Sequence, residues 1–279
     1  MHLLVMLMVV AAAWLIRCQP LSTRATWSER WYKSLYLLLF PVLLILITAI
    51  AILYMGCHGA MLGISVGFWG CAVSGSIILF ALGCLIRLIY QSKHSIARLD
   101  IYPQQTIGDT TARVIEYELP YSAQIGFWQP ELVVSRGLLN TLDKEHLDAV
   151  LAHEQAHLYY RDTFWFFLLG WVKTVGYWLP NTEKIWQELL LLRELRADSK
   201  AAEKKDFLLL AESLLTVAKA PLESSACSAG FNDHALGDRL SERIDFLLAQ
   251  TQPDVANDWQ DWSWLYLLFL PLLTISLHS

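Results

Sequence analysis

Long uncharged apolar runs dominate the first third of the chain. Residues 35–55 carry no charge and are interrupted only by Pro41, and residues 64–86 carry none before Arg87. Each run is long enough to cross a bilayer as a helix, which takes ~17–25 residues. Residues 1–16 are apolar and sit at the lower edge of that range. No basic stretch precedes them, and Ala11-Ala12-Ala13 is followed by further apolar residues. They therefore predict an uncleaved first helix in preference to a signal peptide. Residues 262–277 form a last leucine-rich run led by Trp259, Trp262 and Trp264. That run predicts a C-terminal span, 262–279, with an aromatic belt at its entry.

Between these runs the pattern changes period. Residues 114–119 partly alternate and stop at Pro120, and residues 125–128 and 132–134 read as paired short strands around Gln129-Pro130. Ser135-Arg136-Gly137 leads into helix. From Asp143, a predicted N-cap, Leu147, Val150 and Leu151 recur at helical spacing. A second helix is predicted to start at Pro180-Asn181-Thr182 and run through Lys204. The expected organisation is a membrane region over 1–94, with spans at 1–16, 35–55 and 64–86, then a domain over 95–261, then the last span. The expected fold class is mainly α and integral to the membrane, with multispanning helices and an α+β domain built on a small sheet.

Composition sharpens this. The chain is 55% hydrophobic and only 17% charged, with 12 tryptophans, which suits a protein with many residues at a water–lipid boundary. A net charge of −5 gives no footing for nucleic acid, so none is expected as a partner. Arg17, Arg24, Arg30 and Lys33 lie between the first two runs, the turn at 56–63 has no Lys or Arg, and Arg87, Lys93 and Arg98 follow the next run. The positive-inside rule then places residues from about 90 onward in the cytoplasm of a cell-membrane protein. The five cysteines are scattered with no C-x-x-C pair, which argues against a disulfide framework.

The candidate chemistry sits on the helix after Asp143. His153-Glu154-Gln155-Ala156-His157 spells H-E-x-x-H. Imidazoles four apart share a helical face and reach one metal ion, while the glutamate stands beside the water on that metal. This is the donor set of a zinc peptidase. A site of this kind takes a third ligand, in the gluzincin arrangement a glutamate on a later helix. Glu194 is the candidate, with Asp198 on the same face to accept a ligand histidine's ring N–H. A solvated acidic face beside Arg193 and Arg196 is the competing reading of that pair. Residues 164–178 are almost wholly apolar and aromatic, yet His157 and Glu194 must meet on one side of the membrane. That excludes a single crossing, so the segment is predicted to lie in the interface or packed against the other spans, or else to fold back at Gly170 or Gly176.

Ser135-Arg136-Gly137-Leu138-Leu139, the run from Leu147 to His157, and Arg161-Asp162 together resemble the BlaR/MecR-type membrane metallopeptidases. The stretch Glu194 to Asp198 also matches the E-x-x-A-D pattern of CAAX-prenyl and heat-shock membrane endopeptidases. The resemblance covers roughly residues 100–250. It implies a cytoplasmic gluzincin domain holding Zn²⁺ through His153, His157 and Glu194, with Glu154 as catalytic base and a cytoplasmic protein, a repressor in that family, as substrate. It also implies that a downstream histidine and an arginine help to stabilise the transition state, in the region where Arg239 and Arg243 follow His234. His234 is the candidate here, although it lacks the usual H-P spacing and also reads as a surface histidine. No penicillin-binding sensor follows the last apolar run, so β-lactam sensing is not implied. A CAAX-type or quality-control endopeptidase and a catalytically silent signalling scaffold are the alternative readings.

Overall fold

Apolar runs of membrane length become helices because an uncharged backbone out of water must satisfy its hydrogen bonds internally. In the computed structural model, α1 (His2–Arg17) is followed by α2 (Trp27–Met55), the two-residue strands β1 (Ala60–Met61) and β2 (Ile64–Ser65), and α3 (Phe68–Leu99). Strands β3 (Gln104–Ile107), β4 (Thr110–Ile115), β5 (Ser122–Ile125) and β6 (Glu131–Ser135) come next. Helices α4 (Arg136–Thr141), α5 (Lys144–Tyr159), α6 (Asp162–Val175), α7 (Thr182–Ala202), α8 (Phe207–Ser224) and α9 (Asp233–Leu248) follow. A 3₁₀ helix (Trp259–Phe269) and α10 (Leu270–Leu273) end the described chain. The structure describes all residues except 22–24, 59, 62, 63, 66, 225–232, 250–258, 274 and 276–279. The described fold is mainly helical, with a small four-stranded mixed sheet and the antiparallel pair β1–β2.

The chain divides into two compact units. One holds Met1–Ile89, Leu168–Leu189 and Asp254–Ser279, the other Tyr90–Phe167 and Leu190–Pro253. In the first, α2 starts with a capping box in which Thr26 accepts from Glu29 N and Glu29 accepts from Thr26 N. Among the described residues, two helices are long and apolar enough to cross a membrane, α2 and α3. Most of α2 is packed inside the unit, whereas only 11% of the most apolar stretch of α3 is buried. This differs from the four predicted spans in two places. Helix α1 has 16 residues, about 24 Å of rise, which is short for a crossing. The described part of 262–279 is a 3₁₀ helix running into α10, which contains Pro271, in place of one long α-helix. The cysteine expectation is also corrected, because Cys57 and Cys71 form a disulfide that joins the end of α2 to the start of α3. Their 14-residue separation follows no short motif, which hid the pairing in the sequence.

Residues 164–178 fall mostly in α6, which ends at Val175. The chain leaves α6 at Gly176, turns through Asn181 at φ 58°, and re-enters helix at Thr182. Thr182 Oγ donates to the carbonyl oxygens of Gly176 and Leu179, and itself accepts from the buried Arg17 guanidinium at 3.0 Å. Lys173 pairs with Glu183 at 2.9 Å beyond the turn, so α6 and α7 form a helical hairpin.

In the second unit the sheet order is β3-β4-β6-β5, antiparallel except for the parallel β4–β6 pair. Strand β6 is the buried centre, with Leu132, Val133 and Val134 at 0–4% exposure. The sequence reading put the β5 strand at 125–128. Gly126, at φ 114°, ends it earlier and turns the chain toward Gln129 and Pro130, so β5 is Ser122–Ile125. Ser135 closes the sheet onto α4. Its hydroxyl accepts from Leu138 N as N-cap and from Tyr121 N, and donates to Leu119 O. Leu132, Val134, Leu138, Val150 and Leu151 then form one apolar core beneath the sheet.

Candidate metal centre

Asp143 starts α5 by accepting a hydrogen bond from His146 N at 2.9 Å. The helix then turns Ala149 and Ala152 toward Ala201, Leu210, Ala211 and Leu247. These small side chains allow close helix packing on the face beside the motif. His153 and His157 lie one turn apart, and α7 presents Glu194 to them. The two Nε2 atoms are 3.1 Å apart, and Glu194 Oε2 lies 3.3 Å from that of His153 and 3.6 Å from that of His157. Tetrahedral donors at Zn–N and Zn–O lengths of ~2.0–2.1 Å would be separated by about 3.3 Å. The three donors therefore have the spacing of one face of a tetrahedral site and can hold a metal ion.

Behind each donor stands an orienting partner. His157 Nδ1 is 2.8 Å from Asp162 Oδ2, and the other Asp162 oxygen is held by Arg196. His153 Nδ1 is 2.8 Å from Asp198 Oδ1, an oblique approach without aligned hydrogen-bond geometry. Asp198 is fully buried and takes a two-point grip from Arg243, Nε at 2.7 Å and Nη2 at 2.8 Å. Arg193 holds Glu194 Oε1 through Nε at 2.9 Å and Nη2 at 2.6 Å, which leaves Oε2 toward the histidines. With these contacts in place, Nε2 of each histidine and Oε2 of Glu194 are the atoms left to converge.

The electrostatics favour a cation at that point. Burial would raise the Glu194 carboxyl, but hydrogen bonds from both histidines and the charges of Arg193 and Arg243 hold it well below its usual range. Asp198 is likewise lowered, with Arg243 and His153 overruling its burial. Burial would depress His153, yet Asp198 and Glu194 push it up to about 9. Without a metal, protons are thus held where a cation would be.

Glu154 is 6% exposed and accepts a hydrogen bond from Ser122 Oγ at 2.8 Å. It lines a cleft of about 300 Å³, with Ser122, Ala123 and Gln124 of β5 on one side and the three donors on the other. A larger cavity of about 540 Å³ in the first unit has apolar walls with no carboxylate, imidazole or thiol, so the chemistry belongs to the smaller cleft.

The structure thus brings together His153, Glu154, His157, Glu194 and Asp198. His234 is the second residue of α9, and its side chain lies outside the described residues. Asp162 entered the sequence reading only as part of the resemblance, without a role, and Ser122 and the present roles of Arg193, Arg196 and Arg243 were missed. Asp162 had a local signal, an acidic residue five after His157 across a turn where Arg161 takes φ 53°. Arg193 and Arg196 share α7 with Glu194 and Asp198 and read there as part of a solvated face, whereas Ser122 and Arg243 come from other elements and have no spacing to betray them.

Residues 111–245 fit the family model described as BlaR1 peptidase M56. Neither the curated proteins nor the solved structures contain a match. The fitted stretch holds every side chain of the centre just described, and over it the chain is similar to the BlaR/MecR-type M56 peptidases.

Proposed function

We propose that this chain is a membrane-embedded zinc endopeptidase that cleaves a cytoplasmic or membrane-proximal protein, with a transcriptional repressor as the first candidate substrate. The observation that carries this reading is the convergence of His153, His157 and Glu194 at tetrahedral spacing beside the Glu154 carboxylate. A bound zinc ion supplies a Lewis acid and a water acidified toward neutral pH.

The chain's own residues do the rest. Glu154 takes the proton of the attacking water and returns one to the leaving amine. Asp162 and Asp198 fix the rings of His157 and His153, and Arg193 keeps Glu194 Oε2 aimed at them. Strand β5 lies at the end of the sheet order, so its outer edge can take an extended peptide as an added strand. A place for His234 near the developing oxyanion belongs to the same proposal. The disulfide Cys57–Cys71 supports the orientation. Such bonds persist in oxidising compartments, which agrees with an outward α2–α3 loop and a cytoplasmic catalytic side. A CAAX-type or quality-control role uses the same chemistry on a different substrate, and profiling of cleaved membrane proteins separates the two. The base held beside the donors speaks against a silent scaffold.

Two substitutions test the reading. Glu154→Gln keeps size and hydrogen bonding but removes the proton acceptor. Bound zinc is expected to stay near one per chain while cleavage falls by ~10²–10⁴-fold. Glu194→Gln is expected to lose both zinc and cleavage, because a neutral amide is a poor zinc ligand. Near-normal cleavage by the Glu154→Gln protein would exclude the mechanism.

A further inference from the structure

We infer that Ser122 is a positioning residue for the base Glu154, so that the edge strand on which a peptide would pair also sets the base; this rests on the peptidase reading above. Three observations carry it. Ser122 Oγ donates to Glu154 Oε1 at 2.8 Å, and among the described residues Oε2 has no such partner. A glutamate's terminal torsion is broad and roughly two-fold, so an unheld carboxylate samples many planes. One hydroxyl on one oxygen fixes the plane and leaves the other oxygen to receive a proton.

The hydroxyl is itself held. Tyr121, the residue before it, is tied through both backbone groups: its N–H donates to Ser135 Oγ and its carbonyl accepts from Ser135 N–H, each at 2.9 Å. Ser122 then pairs with the buried Val134 across β5–β6. Ser122 and Gln124 alternate onto one face of β5, and Gln124 Nε2 reaches the Glu154 backbone carbonyl at 3.4 Å. The strand therefore touches the base residue at its carboxylate and at its main chain.

The coupling follows from this layout. A peptide added to the outer edge of β5 bonds to the backbone of the four-residue strand whose Ser122 and Gln124 hold Glu154. Binding energy from strand pairing is then spent on ordering the base. An effect of that kind appears in kcat and leaves KM almost unchanged.

The test uses the full chain in detergent or nanodiscs with a peptide that the wild type cleaves. The variants are Ser122→Ala, Ser122→Thr, Glu154→Gln and the Ser122→Ala/Glu154→Gln double. Zinc content, kcat, KM and affinity for a peptide hydroxamate are measured for each. Ser122→Ala is expected to keep its zinc and its KM, lose about 10-fold in kcat, and bind the hydroxamate about 10-fold more weakly, as befits a lost hydrogen bond to a charged group. Ser122→Thr keeps the hydroxyl and should recover most of both losses. In the Glu154→Gln background, adding Ser122→Ala should cost nothing further. An unchanged kcat in Ser122→Ala, an equal loss in the Glu154→Gln background, or a Thr variant as impaired as the Ala one would each overturn the inference. Should Glu154→Gln cleave like wild type, the peptidase reading falls instead. Hydroxamate affinity needs no turnover and still decides the role of Ser122.

Discussion

His157 keeps its ring in place through an aspartate that is itself held by an arginine, and the same logic recurs behind His153. Removing such an outer partner typically costs 10–100-fold in metal affinity. Asp162→Asn is therefore expected to raise the zinc dissociation constant of the purified protein by about that factor with the fold retained. Chelator competition measures it, and unaltered affinity would deny Asp162 its role. Protons compete for the same atoms. His153 is raised to about 9 from an ordinary value of 6.5, so its pairing stabilises the metal-free protein fully below pH 6.5 and is lost as pH rises through about 9. Asp198 and Glu194 are lowered, so their contribution is present above ordinary carboxylate values and is lost on acidification. The metal-free protein should thus melt highest between about pH 5 and 6.5. Zinc takes the place of the proton, and the alkaline decline in melting temperature should shrink once zinc is bound. A melting curve with equal alkaline decline in both forms would contradict this.

At the scale of elements, the centre depends on close approaches of backbone to backbone. Gly137 opens α4 where its N–H donates to Tyr117 O, and a Cβ there would overlap the Glu118 carbonyl. The obstacle is main chain and cannot swing aside. Gly137→Ala should cost about 1–3 kcal/mol, read as a lower denaturation midpoint. Helices α5 and α7 were legible in the sequence because each has a start signal and its chemistry at fixed spacing, Asp143 before His153 and Pro180-Asn181-Thr182 before Glu194. The α6–α7 hairpin was half legible. The expectation that His157 and Glu194 share one site pointed to a reversal between them, but only the structure shows the turn at Gly176–Asn181. Strand β5 was misplaced because Phe127 and Trp128 have strand-like side chains while the φ of Gly126 is invisible to side-chain patterning. Ser122 was illegible for a different reason. Its partner is 32 residues away, and nothing in either neighbourhood encodes the pairing.

At the scale of the molecule, the proposed orientation makes a directional claim. A reporter inserted at Gly108 should behave as cytoplasmic and one inserted at His58 as external, and a shared side for both would mean that α3 does not cross. The disulfide gives that outward loop a further property. Cys57 and Cys71 close a ring of chain between the two long apolar helices. A protease reaching the loop from outside would cut the polypeptide without parting it, because the sulfur bridge still ties the α2 fragment to the remainder. Such a nicked molecule would migrate intact on a non-reducing gel and come apart into two pieces only when a thiol is added.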